Sequence, residues 1–151
     1  MTQFADPAPL EILVVDDSAD DVLLLQESFR DVPTVNLVHA VHDGEQALAY
    51  LRREGEYFAA RTPGLVLLDI NMPIKNGFEV LAEMKSDPEL RAIPVVMLTT
   101  SSRDVDVLNA YSGGACSFIT KPVCFDRLQL IAGHFANYWT TVVQIPRKPG
   151  V

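Results

Sequence analysis

Apolar residues along this chain fall into two kinds of run. Short unbroken stretches, Ile12-Leu13-Val14-Val15, Leu65-Val66-Leu67-Leu68, Ile93 to Leu98 and Ser117-Phe118-Ile119-Thr120, have the length and β-branched content of strands covered on both faces. Val35 to Val41 alternates apolar with polar residues, as a strand near a sheet edge does. Between these lie segments whose apolar positions recur at helical spacing: Val22, Leu25 and Phe29; Ala47, Leu48 and Leu51; Phe78, Leu81 and Met84; Val105 and Leu108; and Phe125, Leu128, Ala132 and Phe135. Punctuation agrees with the pattern. Ser18 and Asp20 are N-cap candidates for the first helix, Pro33 ends it, Asp43-Gly44 and Asn76-Gly77 open the second and third, Asp87-Pro88 closes the third, Ser101 and Ser102 cap the fourth and Gly113-Gly114 closes it. Residues 55 to 64 form a longer connection. Five strands alternating with five helices predict an α/β fold, a doubly wound parallel sheet with right-handed crossovers.

Polar residues stand where these strands stop. Asp16 and Asp17 follow the first, Asp69 the third, Thr99 the fourth and Lys121 the fifth. In an open parallel sheet the carboxyl ends of the strands line the ligand crevice, so residues far apart in sequence converge there. Three carboxylates in one place repel one another unless a cation joins them, and an oxygen-rich set of this kind suits Mg²⁺. The backbone carbonyl of Asn71 is a further candidate ligand. Lys121 supplies a fixed positive charge, and the Thr99 hydroxyl a donor, for phosphoryl oxygens. Such a site accepts a phosphoryl group, with Asp69 as the nucleophile that becomes an acyl phosphate.

Composition narrows the classes. At 151 residues there is room for one domain with a core, and a formal charge of −8 argues against direct binding to nucleic acid. Two cysteines, Cys116 and Cys124, without a histidine at ligand spacing, read as structural thiols. No apolar run approaches a membrane span and Met1 to Leu10 lacks the pattern of a signal peptide, so a cytoplasmic location is expected. His39, His42 and His134 share no ligand spacing, and Glu45, Glu54 and Glu56 read as solvated faces. The last helix carries more apolar surface than one core contact requires. With Trp139 to Ile145 it suggests a partner or dimer contact.

Val14-Val15-Asp16-Asp17, Leu67-Leu68-Asp69-Ile70-Asn71-Met72-Pro73, Asn76-Gly77, Met97-Leu98-Thr99-Thr100 and Lys121-Pro122, in this order, resemble the receiver domain of two-component response regulators. The resemblance implies a flavodoxin-like sheet of order 2-1-3-4-5 with five helices. Residues 1–9 would then be a flexible arm, 10–137 the receiver and 138–151 a C-terminal extension. It also implies that Asp69 is the phosphoacceptor, that Asp16, Asp17, Asp69 and the Asn71 carbonyl hold the metal, that Lys121 contacts the phosphoryl group, and that Thr99 and Phe118 are the switch pair. Many members have tyrosine at the position of Phe118. Tyr50 to Gly55, Leu81 to Lys85 and the aromatic-aliphatic tail are similar to small single-domain regulators paired with phytochrome-type histidine kinases. That narrower likeness implies a stand-alone regulator in a light-signalling relay, a homodimer joined through the face of the last helix, and no enzymatic activity beyond its own phosphorylation and autodephosphorylation. The alternative is a metal-dependent phosphatase with an aspartyl-phosphate intermediate. Such enzymes place a second carboxylate two residues after the nucleophile, where this chain has Asn71.

Overall fold

A computed structural model describes residues 10–30, 35–99 and 103–120. The elements are β1 (Leu10–Val15), α1 (Ala19–Arg30), β2 (Val35–Val41), α2 (Gly44–Arg52), a 3-10 turn (Gly55–Tyr57), β3 (Leu65–Leu68), α3 (Gly77–Ser86), β4 (Val95–Thr99), α4 (Asp104–Ser112) and β5 (Ser117–Thr120). The five strands form one parallel sheet in the order β2-β1-β3-β4-β5, as expected. Four α-helices lie among the described residues. The expected fifth, around residues 125–138, and the tail beyond it lie outside them, as does the arm 1–9.

Period-two alternation explains why the inner strands are apolar throughout. Leu13, Val15, Val66, Leu68, Val95 and Met97 belong to a core that includes Leu48 and Leu51 of α2 and Leu81 and Met84 of α3. Ile12, Val14, Leu65, Leu67, Val96 and Leu98 point the other way and pack with Val22, Leu25 and Phe29 of α1. Each inner strand thus serves two cores, which an alternating pattern could not do.

Helix starts are set by side chains that satisfy the first free amides. Ser18 Oγ accepts from Asp21 N at 3.3 Å, and Asp43 Oδ1 accepts from Gln46 N at 2.8 Å. Asn76 and Glu79 form a reciprocal capping box on α3. On the exposed side of α2 and α3 an ion-pair ladder links Glu45, Lys75, Glu83, Arg52 and Asp87, with 3.7 Å between Lys75 and Glu45 and 3.6 Å from Arg52 to each of Glu83 and Asp87.

The fourth helix departs from expectation. Its first residue is Asp104 and its N-cap position is Arg103, which makes no side-chain cap; Ser101 and Ser102 lie outside the described residues. Val105 and Leu108, read as its core face, are 52% and 65% exposed, whereas Asp106 and Ala110 are buried. Burial of a carboxylate is tolerated because Arg103 forks onto Asp106 with Nε and Nη2 each 3.2 Å from a carboxylate oxygen.

Among aromatic groups, His39 of β2 stacks on Tyr50 of α2 with centroids 4.6 Å apart and planes at 22°, and Tyr57 meets Tyr50 at 5.3 Å, edge-on. Burial lowers the His39 pKa from its ordinary 6.5, and burial followed by the charge of Glu11 raises that of Tyr50. The unfolded chain therefore binds a proton at His39 more readily than the folded one. The stability this neutral imidazole contributes is complete above the unfolded value of 6.5 and is lost as pH falls from there through the lower folded value. Urea melts between pH 7.5 and 5 should show a decline that His39→Phe diminishes; an unchanged pH profile in the variant would count against this.

Candidate functional site

Parallel pairing of β1 with β3 puts Val15 opposite Leu68, so the next residue of each strand falls at the same rim. Asp69 N donates to Val15 O at 2.9 Å, and Asp16 N donates to Val41 O at 3.1 Å, prolonging the ladder by one bond on each side. Asp16 is 1% and Asp69 6% exposed, while Asp17 is open to solvent. Ligand oxygens of Asp16, Asp17 and Asp69 all lie within 4.8 Å of one another. The Asp16 carboxylate is oriented by Ser18 N, which donates to Oδ1 at 2.9 Å. His42, to which the sequence assigned no role, places Nδ1 3.3 Å from the Asp16 carbonyl, so a protonated Nδ1 donates to it.

The donor set fits a small hard cation. Asp16, Asp17 and Asp69 would hold such an ion through one carboxylate oxygen each, and Mg²⁺, which takes carboxylate oxygens and keeps several waters, would supply positive charge there. Asn71 is exposed, on the connection from β3 to α3.

That connection is held unusually close. Gly77 packs against the residue that follows β3 so tightly that a Cβ there would lie 2.2 Å from the Asp69 carbonyl oxygen, and Gly77 N donates to Ile70 O at 2.8 Å. A Cβ on Gly44, at the start of α2, would lie 2.5 Å from Lys75 Cβ and 2.8 Å from Lys75 O. Between these contacts Ile74 has φ 70°, and Lys75 N donates to Pro73 O at 2.8 Å, which closes a three-residue γ-turn of the rare hand. For a β-branched residue this costs about 1–3 kcal/mol. Lys75 is not free to serve the acidic rim. It is bonded to Glu83, whose hydrogen bond raises the lysine pKa, and it pairs with Glu45.

Thr99 ends β4, its backbone paired with Thr120, and Phe118 of β5 is paired with Met97 and partly buried against the core that holds Leu68. The register thus sets position 99 and Phe118 on one face of the sheet, two residues apart along the strands. Lys121 lies outside the described residues, as do Pro122 and Cys124. Cys116 is exposed at the residue level, but partial desolvation raises the pKa of its thiol, which donates to Val95 O at 3.3 Å.

Residues 12–132 match the family model described as the response regulator receiver domain. The chain belongs to the response regulator receiver family. Relatives of this receiver include response regulator Rcp1 of Synechocystis sp., 38% identical over 138 residues, which are 91% of this chain and 94% of that protein. The crystal structure of the phosphorylated cyanobacterial phytochrome response regulator RcpA superposes with a TM-score of 0.87 at 41% identity, covering 93% of this chain and 100% of the other. The Mn²⁺-bound form of Rcp1 gives 0.83 at 38% identity, covering 92% and 100%. A probable methanogenesis regulatory protein of Methanothrix harundinacea, FilR2, is 37% identical over 87% of this chain and 84% of its own. Among the described residues, no helix of the receiver is long and apolar enough to cross a membrane.

The two glycines were seen in the sequence only as helix openers; their closeness to Asp69 and Lys75 is tertiary. In the middle of a helix start, Gly77→Ala would ordinarily stabilise by up to about 1 kcal/mol, but here the added methyl meets backbone and should destabilise by about 1–3 kcal/mol. Equilibrium urea unfolding reads the sign directly, and a gain in stability would refute the close contact.

Proposed function

We propose that this receiver takes a phosphoryl group from a phosphohistidine onto a carboxylate oxygen of Asp69. The convergence of the Asp16, Asp17 and Asp69 carboxylates at the carboxyl ends of β1 and β3, beside the point where strand order reverses, carries the reading. The carboxylate attacks phosphorus in line, the bond from phosphorus to the donor's imidazole nitrogen breaks, and that nitrogen leaves with the electron pair. Asp16, Asp17 and the Asn71 carbonyl would hold Mg²⁺, which neutralises charge on the phosphoryl oxygens. Likeness to Mn²⁺-bound Rcp1 supports that assignment. Lys121 would contact the phosphoryl group and Thr99 would move toward it, with Phe118 following, so that the surface of α4 and β5 changes.

The donor in this reading is a histidine kinase of the phytochrome type. Identity near 37% is shared with FilR2, so the pairing is supported by the structural likeness to RcpA rather than by identity alone. The output is read by a protein partner or by a homodimer joined through the face of the last helix, and residues 138–151 belong to that contact. The chemistry of this receiver is confined to its own phosphorylation and hydrolysis. Asn71, an amide two residues after the acceptor, supports that reading over a phosphatase, since it cannot serve as general acid or base.

Asp69→Asn should abolish labelling by acetyl phosphate, and chelation of divalent cations should slow labelling of the unaltered protein on the order of a hundredfold. Phosphoprotein gels with intact mass measurement follow both, and label retained on the Asp69→Asn variant would refute the acceptor. Hydrolysis of p-nitrophenyl phosphate should stay at background; steady turnover would favour the phosphatase.

A further inference from the structure

The three acids that line the notch at the rim are not held alike. Asp16 and Asp69 are buried and continue the sheet's hydrogen-bond ladder, through Asp16 N to Val41 O and Asp69 N to Val15 O. Asp17 stands one residue past that ladder and is open to solvent. Repulsion among the carboxylates acts most easily on the member that can turn outward. Whether Asp17 turns is decided by ψ of Asp16, a soft dihedral that swings the next residue and its side chain together with the Asp16 carbonyl. That carbonyl oxygen lies 3.3 Å from Nδ1 of His42.

His42 is itself fixed on both sides. The residue before it accepts from Asp16 N, and His42 N donates to Gln46 Oε1 at 2.9 Å while Gln46 N donates to Asp43 Oδ1 at 2.8 Å, so the capped start of α2 carries the imidazole. A carbonyl oxygen only accepts, so the bond needs the proton on Nδ1 and leaves Nε2 bare in the neutral ring. The imidazole is not among the groups that converge within 4.8 Å of one another, so it acts on the pocket through the backbone and not as a ligand. We infer that His42 is a positioning residue for the metal pocket: by holding the Asp16 carbonyl it keeps the Asp17 carboxylate turned toward Asp16 and Asp69 before a divalent cation arrives. This rests on the three acids being the metal site. A pocket already in shape loses less freedom on binding, so the role is read as metal affinity.

Mn²⁺ alone is the probe, its free concentration followed by electron paramagnetic resonance in solutions of the full chain. His42→Leu should bind it about fivefold more weakly. His42→Asn, whose amide nitrogen hangs as many bonds from the backbone as Nδ1 and donates likewise, should bind within about twofold of the unaltered protein. Melts in the presence of a chelator should put both variants within about 2 °C of the unaltered chain, and nitrogen-15 spectra of the neutral ring should show the His42 proton on Nδ1. Affinity in His42→Leu within about twofold of normal overturns the role, as does a proton found on Nε2. Equal losses of affinity in both variants, accompanied by lower melting without metal, would make His42 a structural residue of the turn before α2 and also overturn it. An unaltered protein that binds no Mn²⁺, or Asp17→Asn that binds it undiminished, refutes the metal site and the role of His42 together. Weakened binding in Asp17→Asn beside undiminished binding in His42→Leu removes His42 alone, so the two readings fail separately.

Discussion

The pairing of β1 with β3 is the contact on which everything else depends. Neither strand carries a site alone: β1 ends in two acids and β3 in one, and only a parallel register with Val15 opposite Leu68 brings the three to one rim. That register is enforced by burial, since a slip of one residue would exchange the inward sets of two cores at once. The repulsion of the carboxylates works against the same pairing, and the apolar strands behind them must outweigh it. Hydrophobic burial thus holds charged groups where water alone would keep them apart.

Much of this arrangement was legible in the chain because strand and rim are written in adjacent residues. An unbroken Leu-Val-Leu-Leu followed by Asp69 states both where the strand is buried and where it stops, and the same holds for Val14-Val15-Asp16-Asp17. The capped helices α1, α2 and α3 were legible for a related reason, their apolar positions and start signals being local. Helix α4 was not. Apolar residues three apart locate a face but not which way it turns, and the salt-bridged Asp106 took the inward position that spacing alone would give to Val105 and Leu108. Contacts between elements were equally silent. His39, Tyr50 and Tyr57 meet only once β2, α2 and the 3-10 turn are packed, and Gly44 and Gly77 show their purpose only when Lys75 and Asp69 lie against them.

The acidic rim and the connection beyond it are built on different principles. Asp16 and Asp69 extend the sheet's own hydrogen-bond ladder, so their backbones share the rigidity of the core. Residues 71–76 have no strand or helix of their own and take their shape from neighbours, through two glycine contacts, one capping box and the charges on Lys75. A change of charge at Asp69 therefore meets a stiff floor and a wall held from outside.

The ladder of Glu45, Lys75, Glu83, Arg52 and Asp87 gives that wall a particular character. Its rungs are partly exposed pairs, individually weak and weakened further by dissolved ions, whereas the strands beneath are held by forces that salt scarcely touches. Ionic strength becomes a selective solvent for one side of the notch: it loosens the fastening of the connection to α2 and α3 and leaves the carboxylates' own platform in place.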